Sequence, residues 1–304
     1  MALFYRSLAL GIILTVFAGV TVYLALPYVW TPGPKRDLAQ VIGDPELGKY
    51  EARLGGCFSC HTDVKNNGVP LAGGRVMTTP FGDFRTPNIT PDRETGIGGW
   101  SLADFTQAMT QGIRPDGSHY YPAFPYTSYN RMNDQAIADL KAYLDTVPPT
   151  HNKIPSNNLR FPFNIRRGLS VWKTLYFDPK PWTNHEEKSA KWNRGAYIIN
   201  GPGHCVECHT PRTLLGGLDT RQHLKGLPKG PTGEKIPDIS ADPKSGVGSW
   251  SEGDLMFLLK LGLTPDGDAV SGSMAEVVKD STSHYSIQDF KAVITYLKDP
   301  GTVK

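Results

Sequence analysis

The chain has 304 residues, enough for about two domains. Gly (32) and Pro (25) make up about a fifth of it and charged residues 20%, which indicates a folded, loop-rich protein and excludes a membrane protein with many spans. The 32 basic and 29 acidic residues give a net charge of only +3, so the composition does not indicate a partner of nucleic acids.

The N-terminus carries one long apolar segment. Residues 8–26 contain no charged residue and no proline, Arg6 precedes them and Pro27 follows them. Nineteen helical residues nearly span the hydrocarbon core of a bilayer. We therefore expect one uncleaved transmembrane anchor within residues 1–30. A cleaved signal peptide is the alternative, but its apolar region is usually shorter, about 7–15 residues.

The four cysteines form two copies of the pattern C-x-x-C-H. The copies are Cys57-Phe58-Ser59-Cys60-His61 and Cys205-Val206-Glu207-Cys208-His209. Two thiols one helical turn apart can add to the vinyl groups of one porphyrin, and the histidine that follows can bind the iron. The sequence therefore predicts two covalently bound haem c groups. The predicted attachment and iron-binding residues are Cys57, Cys60 and His61 at the first site and Cys205, Cys208 and His209 at the second.

Other uses of paired cysteines fit less well. A structural zinc site usually has its two cysteine pairs about 15–20 residues apart, whereas these pairs are 148 residues apart. A redox-active dithiol or a pair of disulfides would not explain why a histidine follows both pairs.

An internal repeat accompanies the two motifs. Residues 87–117 and 237–267 align without a gap at an offset of 150, and 12 of the 31 positions are identical. Duplication of one unit would explain both this offset of 150 residues and the offset of 148 residues between the two motifs. We expect one unit in residues 40–150, a second in residues 188–304, and a connector rich in proline and aromatic residues in residues 151–187.

Each unit is predicted to contain three main helices. Asp44 can cap a helix that leads towards the first motif, and Ser101 and Ser251 begin later helices in capping-box-like sequences. The last helices, around residues 137–144 and 290–297, have apolar side chains at spacings of three and four. This order resembles the class I cytochrome c fold, in which the first and last helices cross. The predicted fold is therefore all-α, with two tandem class I cytochrome c domains after one N-terminal transmembrane helix.

The resemblance also implies a methionine as the second axial ligand of each iron, from the loop before the last helix. Met274 has this position in the second unit. The corresponding residue of the first unit is Phe124, which cannot bind iron, and Met132 at the start of the last helix is the best substitute. His119 is an alternative ligand, and an open iron is another alternative.

Several loop sequences of the first unit resemble the cytochrome c subunits of membrane-bound bacterial alcohol, aldehyde and sugar-acid (gluconate) dehydrogenases. They are Leu71-Ala72-Gly73-Gly74, Thr79-Pro80-Phe81-Gly82, Asn88-Ile89-Thr90-Pro91-Asp92, Thr95-Gly96-Ile97-Gly98 and Tyr121-Pro122-Ala123. Those subunits usually contain three haem motifs, and this chain contains two. They usually have a methionine where this chain has Phe124.

The expected function is electron transfer by a membrane-anchored di-haem cytochrome c on the periplasmic side of a bacterial inner membrane. Electrons would come from a dehydrogenase or a quinol-oxidising complex and pass towards a terminal oxidase or another cytochrome. No nucleophile constellation, phosphate-binding loop or dinucleotide-binding turn accompanies the motifs. The alternative is a di-haem enzyme of the peroxidase type, in which the first haem is open. The aromatic connector either packs against the first unit or forms a docking surface for a redox partner.

Overall fold

The computed structural model describes residues 2–25, 30, 32–230 and 233–301. Its first helix, α1, spans Ala2–Ala25. Among the described residues, no helix combines the length and the apolar character needed to cross a bilayer. The predicted anchor at residues 8–26 falls partly on side chains outside the described set, and it stays a prediction.

Short helices separated by long loops make up most of the remaining chain. In the first half they are α2 (Pro45–Leu54), α3 (Cys57–His61), α4 (Leu102–Gln111), α5 (Tyr126–Tyr129) and α6 (Asp134–Leu144). In the second half they are α7 (Leu169–Tyr176), α8 (Ala190–Asn200), α9 (Cys205–His209), α10 (Glu252–Leu261), α11 (Gly272–Asp280) and α12 (Ile287–Lys298).

The predicted helix starts are confirmed by their caps. The carboxylate of Asp44 accepts hydrogen bonds from the first backbone N–H groups of α2. Ser101 and Ser251 each form a complete capping box, with Asp104 and Asp254 three residues later, at the starts of α4 and α10. These caps satisfy N–H groups that have no partner within the helix.

The same helix crossing occurs in both halves of the chain. Helix α2 packs against α6, and α8 packs against α12. Each crossing has a glycine at the point of contact: a side chain at Gly48 would overlap the carbonyl oxygen of Asp139, and one at Gly195 would overlap that of Ala292. Glycine therefore allows the two backbones to approach closely, as expected for crossing first and last helices.

A small antiparallel sheet interrupts the helical pattern. Strands β1 (Val76–Thr79), β2 (Gly82–Arg85) and β3 (Asn158–Leu159) lie in the order β1-β2-β3. The all-α prediction omitted this sheet, and the fold is mostly helical instead. Gly82 has a φ of 119° and no room for a side chain beside β3. Because β3 lies more than 70 residues beyond β2, local patterns could not indicate the pairing.

The apolar core has two main clusters. One is built from residues between 38 and 144, and the other from residues between 192 and 297 together with Leu54 of α2. In a third, smaller cluster, Phe177 of the connector packs against Trp30, Ile113 and Tyr126. The connector thus packs against the first half of the chain. The predicted domain boundaries at residues 40–150, 151–187 and 188–304 stay predictions.

Candidate haem-binding sites

Each C-x-x-C-H motif forms one short helix, which begins directly after a residue in the left-handed backbone conformation. Gly56 precedes Cys57 with a φ of 63°, and His204 precedes Cys205 with a φ of 39°. None of the four cysteines forms a disulfide bond. Burial raises the pKa of the Cys57 and Cys205 thiols to about 12. Cys57 and Cys205 also pack against the apolar clusters of the first and second halves, as the attachment points of a porphyrin should.

The histidine of each motif is held in the orientation that an iron ligand needs. The Nδ1 atom of His61 is 2.7 Å from the carbonyl oxygen of Pro87, and that of His209 is 2.9 Å from Pro237. A carbonyl oxygen only accepts, so Nδ1 carries the proton and Nε2 remains available to bind iron. Burial lowers the pKa of both imidazoles, which favours the neutral form that binds a metal.

A tight loop places the carbonyl of Pro87 beneath His61. Leu71 and Gly73 both adopt left-handed backbone angles, with φ values of 65° and 74°. The Gly73 N–H donates to the His61 carbonyl at 2.8 Å, and the Ile89 N–H donates to the Leu71 carbonyl at 2.9 Å. A side chain at Gly73 would collide with the backbone of Pro87. Glycine is therefore needed where this loop approaches the segment that orients the histidine.

The second half repeats this loop. Leu224 and Gly226 have φ values of 60° and 70°, and the Gly226 N–H donates to the His209 carbonyl at 2.7 Å. A side chain at Gly226 would collide with Pro237. Sequence reasoning gave Leu71-Ala72-Gly73-Gly74 only as part of a family resemblance and missed the role of both loops, although a Leu-x-Gly triplet after each motif was a usable signal. The residues of both sites fit a haem group, with two thiols and an oriented neutral imidazole at each.

Met132 lies in the apolar cluster of the first motif. Its side chain is only 1% exposed, and the same cluster includes Cys57 and Phe58. It immediately precedes Asn133, the N-cap of α6. The second half has Tyr285 at this place, immediately before Ser286, the N-cap of α12. The ligand role of Met132 is compatible with this position and stays a prediction.

Met274 occupies a different kind of position. It lies in the first turn of α11, is partly exposed, and is not among the residues of the cluster that includes Cys205. The two predicted methionine ligands therefore come from places that are not equivalent in the repeat. The ligand role of Met274 also stays a prediction.

The alternative ligand His119 lies with the third cluster rather than with the first motif. Its ring contacts the edge of Trp30 at 5.8 Å between centroids, and its Nδ1 atom is buried without a hydrogen-bond partner. Burial, followed by the charges of Lys173 and Arg166, lowers the pKa of His119 to about 4. Of the two alternatives, only Met132 belongs to the cluster that contains Cys57.

Comparison with known proteins gives the family. Residues 48–148 match the family described as cytochrome c. A protein of Cereibacter sphaeroides named diheme cytochrome c-type is 41% identical over 96% of this chain and 97% of its own length. This chain belongs to the cytochrome c family.

Two further relatives of this cytochrome c are subunits of dehydrogenases. The fructose dehydrogenase cytochrome subunit of Gluconobacter japonicus is 39% identical over 83% of this chain. The cytochrome c subunit of the quinone-dependent alcohol dehydrogenase of Gluconobacter oxydans is 38% identical over 84% of it. The chain spans about half of each relative's length, 51% and 54%. The predicted resemblance to such subunits is confirmed.

Membership of this family defines the chemistry of the site. A cytochrome c holds haem through thioether bonds and exchanges one electron at the iron. The cysteines provide the attachment points, and the histidine bound to the proline carbonyl provides an oriented ligand. The chain is accordingly an electron-transfer protein with covalent haem c, and not an enzyme.

Proposed function

We propose that this cytochrome c carries two haem groups, one at each C-x-x-C-H motif, in two tandem cytochrome c units. The observation that carries the proposal is the repeated histidine geometry, in which Pro87 and Pro237 bind Nδ1 of His61 and His209 and leave Nε2 for iron. The name of the Cereibacter relative, a diheme cytochrome, supports the same count.

The proposed electron donor is a dehydrogenase, with a quinol-oxidising complex as the other source. The names of the relatives support a dehydrogenase, because they are cytochrome subunits of enzymes that act on fructose, alcohol and gluconate. The proposed acceptor is a terminal oxidase or another cytochrome. Methionine ligation and an apolar environment raise haem potentials, which suits a late carrier in such a chain.

The proposed location is the periplasmic face of a bacterial inner membrane, with residues 8–26 as a single-pass anchor. The uncharged run in the sequence supports this assignment. Extraction of membranes with alkaline carbonate tests it, because an anchored chain stays with the lipid. Release of the whole chain into the soluble fraction would contradict the anchor.

The function is tested by adding substrates to membranes that contain the chain. Alcohols, aldehydes and sugars are added in turn to oxidised membranes, and the reduced α-band of haem c is followed. Matched membranes contain a variant in which all four cysteines are alanine. We expect one substrate class to reduce the haem of the native chain only. Equal absorbance changes in both membranes would contradict the proposal.

A further inference from the structure

Helix α9 of the second motif lies directly against the first half of the chain. We infer that Glu207, within the second C-x-x-C-H motif, is a positioning residue that fixes α9 to α5. The two haem groups would then form one coupled pair that exchanges electrons within the chain. The inference rests on the proposed count of two haems. The exchange moves one electron from the reduced site to the oxidised site, so one iron is oxidised and the other is reduced, and no bond or proton changes.

The contacts of Glu207 cross from one repeat to the other. Its Oε1 atom accepts hydrogen bonds from the hydroxyls of Thr127 at 2.5 Å and Ser128 at 2.9 Å. Its Oε2 atom forms a 2.7 Å ion pair with Arg212 in the loop after its own motif. The Glu207 side chain is 8% exposed. A buried carboxylate with three partners is held firmly, because losing any of them would leave charge poorly compensated.

The element that Glu207 binds is the one that leads to the first predicted methionine ligand. Thr127 and Ser128 lie in α5, four or five residues before Met132. Met132 is buried and lies two residues after Asn130, the C-cap of this helix. A side chain of the second motif therefore holds the segment that carries the predicted methionine ligand of the first site. This arrangement links the geometry of the two sites.

A second contact joins the starts of the two motif helices. His204, which precedes Cys205, has Nε2 at 3.3 Å from the carbonyl oxygen of Gly55. The hydroxyl of Tyr129 donates to the same carbonyl at 2.6 Å, and its ring meets that of His204 at 5.6 Å, nearly perpendicular. Gly55 lies two residues before Cys57, so the two attachment helices begin at one shared contact.

The two motif segments are therefore joined by the hydrogen bonds of Glu207 and by the contact of His204 with Gly55. Porphyrins attached to these two helices would lie close together, which is the condition for coupling between them.

Circular dichroism in the Soret region tests the coupled pair on the intact protein. Two neighbouring haems add a two-signed exciton couplet to the spectrum, whereas separate haems give only the sum of the spectra of the two single-haem variants, each of which lacks one pair of motif cysteines. We expect the couplet in the native chain and its loss in Glu207→Ala. Thr127→Val with Ser128→Ala removes the same hydrogen bonds from the opposite side and leaves the motif untouched. This double variant should also lose the couplet and should exchange electrons between its haems more slowly after a pulse of partial reduction.

The matched control lies at the rim of the same interface. Glu276 of α11 forms a 2.5 Å ion pair with Arg75, and both side chains are substantially exposed, at 45% and 27%. Exposed pairs contribute little to geometry or stability, so Glu276→Gln should keep the couplet. A native chain that carries two haems but gives only the sum of its two single-haem spectra would overturn the inference alone. An unchanged couplet in the haem-loaded double variant would also overturn it. A native chain with fewer than two haems would instead overturn the proposed function.

Discussion

The hydroxyl of Tyr50 donates a 2.6 Å hydrogen bond to the carboxylate of Asp289. These residues are 239 positions apart, in α2 of the first half and α12 of the second. Asp289 also binds Arg194 through two hydrogen bonds of 2.7 and 2.8 Å, and the Tyr50 oxygen accepts from the backbone N–H of Ser286. A partly buried polar network whose members all have partners favours one arrangement of the two halves.

The apolar contact beside this network predicts a large effect on stability. Leu54 is fully buried and belongs to the core cluster of the second half. Leu54→Ala should lower the free energy of unfolding by about 2–5 kcal/mol, because it removes buried methyl groups and leaves a cavity. Unfolding by guanidinium chloride, followed by far-UV circular dichroism, measures this change.

The control for that substitution is on the same helix. Leu47 is 55% exposed, so Leu47→Ala should change stability by about 0.5 kcal/mol or less. Equal effects of the two substitutions would contradict the shared core.

The carboxyl group of Glu51 should make the free energy of unfolding depend on pH. Burial, reinforced by the charges of Asp289 and Asp139 and opposed by Arg194, raises the pKa of Glu51 from 4.5 to about 7, and its Oε2 atom has no hydrogen-bond partner. Between these two values the folded state keeps a proton that the unfolded state has lost. The free energy of unfolding should therefore fall as the pH rises from 4.5 to about 7. Above that range it should stay at the lower value.

Glu51→Gln removes this penalty. The variant should become more stable than the native chain as the pH rises from 4.5 to about 7, by up to about 3 kcal/mol above that window. Urea denaturation at pH values below, within and above the window measures the difference, and Glu46→Gln at an exposed position of the same helix is the control. A difference that stays constant with pH would be inconsistent with the buried carboxyl.

Local patterns were sufficient to predict the motifs and the capped helices, and the resemblance to the class I cytochrome c fold implied the crossing of the first and last helices. They could not predict the contact between the halves. Leu54 has the spacing of a residue in the core of its own unit, and only the three-dimensional arrangement places it in the other core. The contact of Glu207 could not be predicted either. In the sequence Glu207 occupies one of the two unspecified positions of C-x-x-C-H, and its partners Thr127 and Ser128 lie 80 and 79 residues away.

Met132 is tested by a substitution that keeps its volume. Met132→Leu removes the sulfur from a side chain that is 1% exposed, at a cost in stability of less than about 1.5 kcal/mol. If Met132 is the sixth ligand, the ferrous variant should bind carbon monoxide at one haem, and the potential of that haem should fall. Absorbance during carbon monoxide titration measures this.

The controls are the buried Met109 in the same cluster and His119. Met109→Leu should bind no carbon monoxide. If His119→Ala opened a site for carbon monoxide and Met132→Leu did not, the assignment would be wrong.

Met274 gives the corresponding test at the second site. Met274→Leu should lower the potential of one haem in a redox titration, while Met256→Leu, which changes a side chain packed against the core, should not. An unchanged titration curve would indicate that α11 serves only the contact with the first half. The repeat could not decide between these outcomes, because it pairs Met274 with Phe124 whereas the helix caps pair Met132 with Tyr285.

Intact mass spectrometry of the purified chain tests the central claim most directly. The native chain should exceed the mass of its polypeptide by two haem groups. The double variants Cys57→Ala with Cys60→Ala, and Cys205→Ala with Cys208→Ala, should each exceed it by one. A native mass equal to that of the bare polypeptide, or a second-motif variant with the same haem content as the native chain, would contradict covalent haem at both sites.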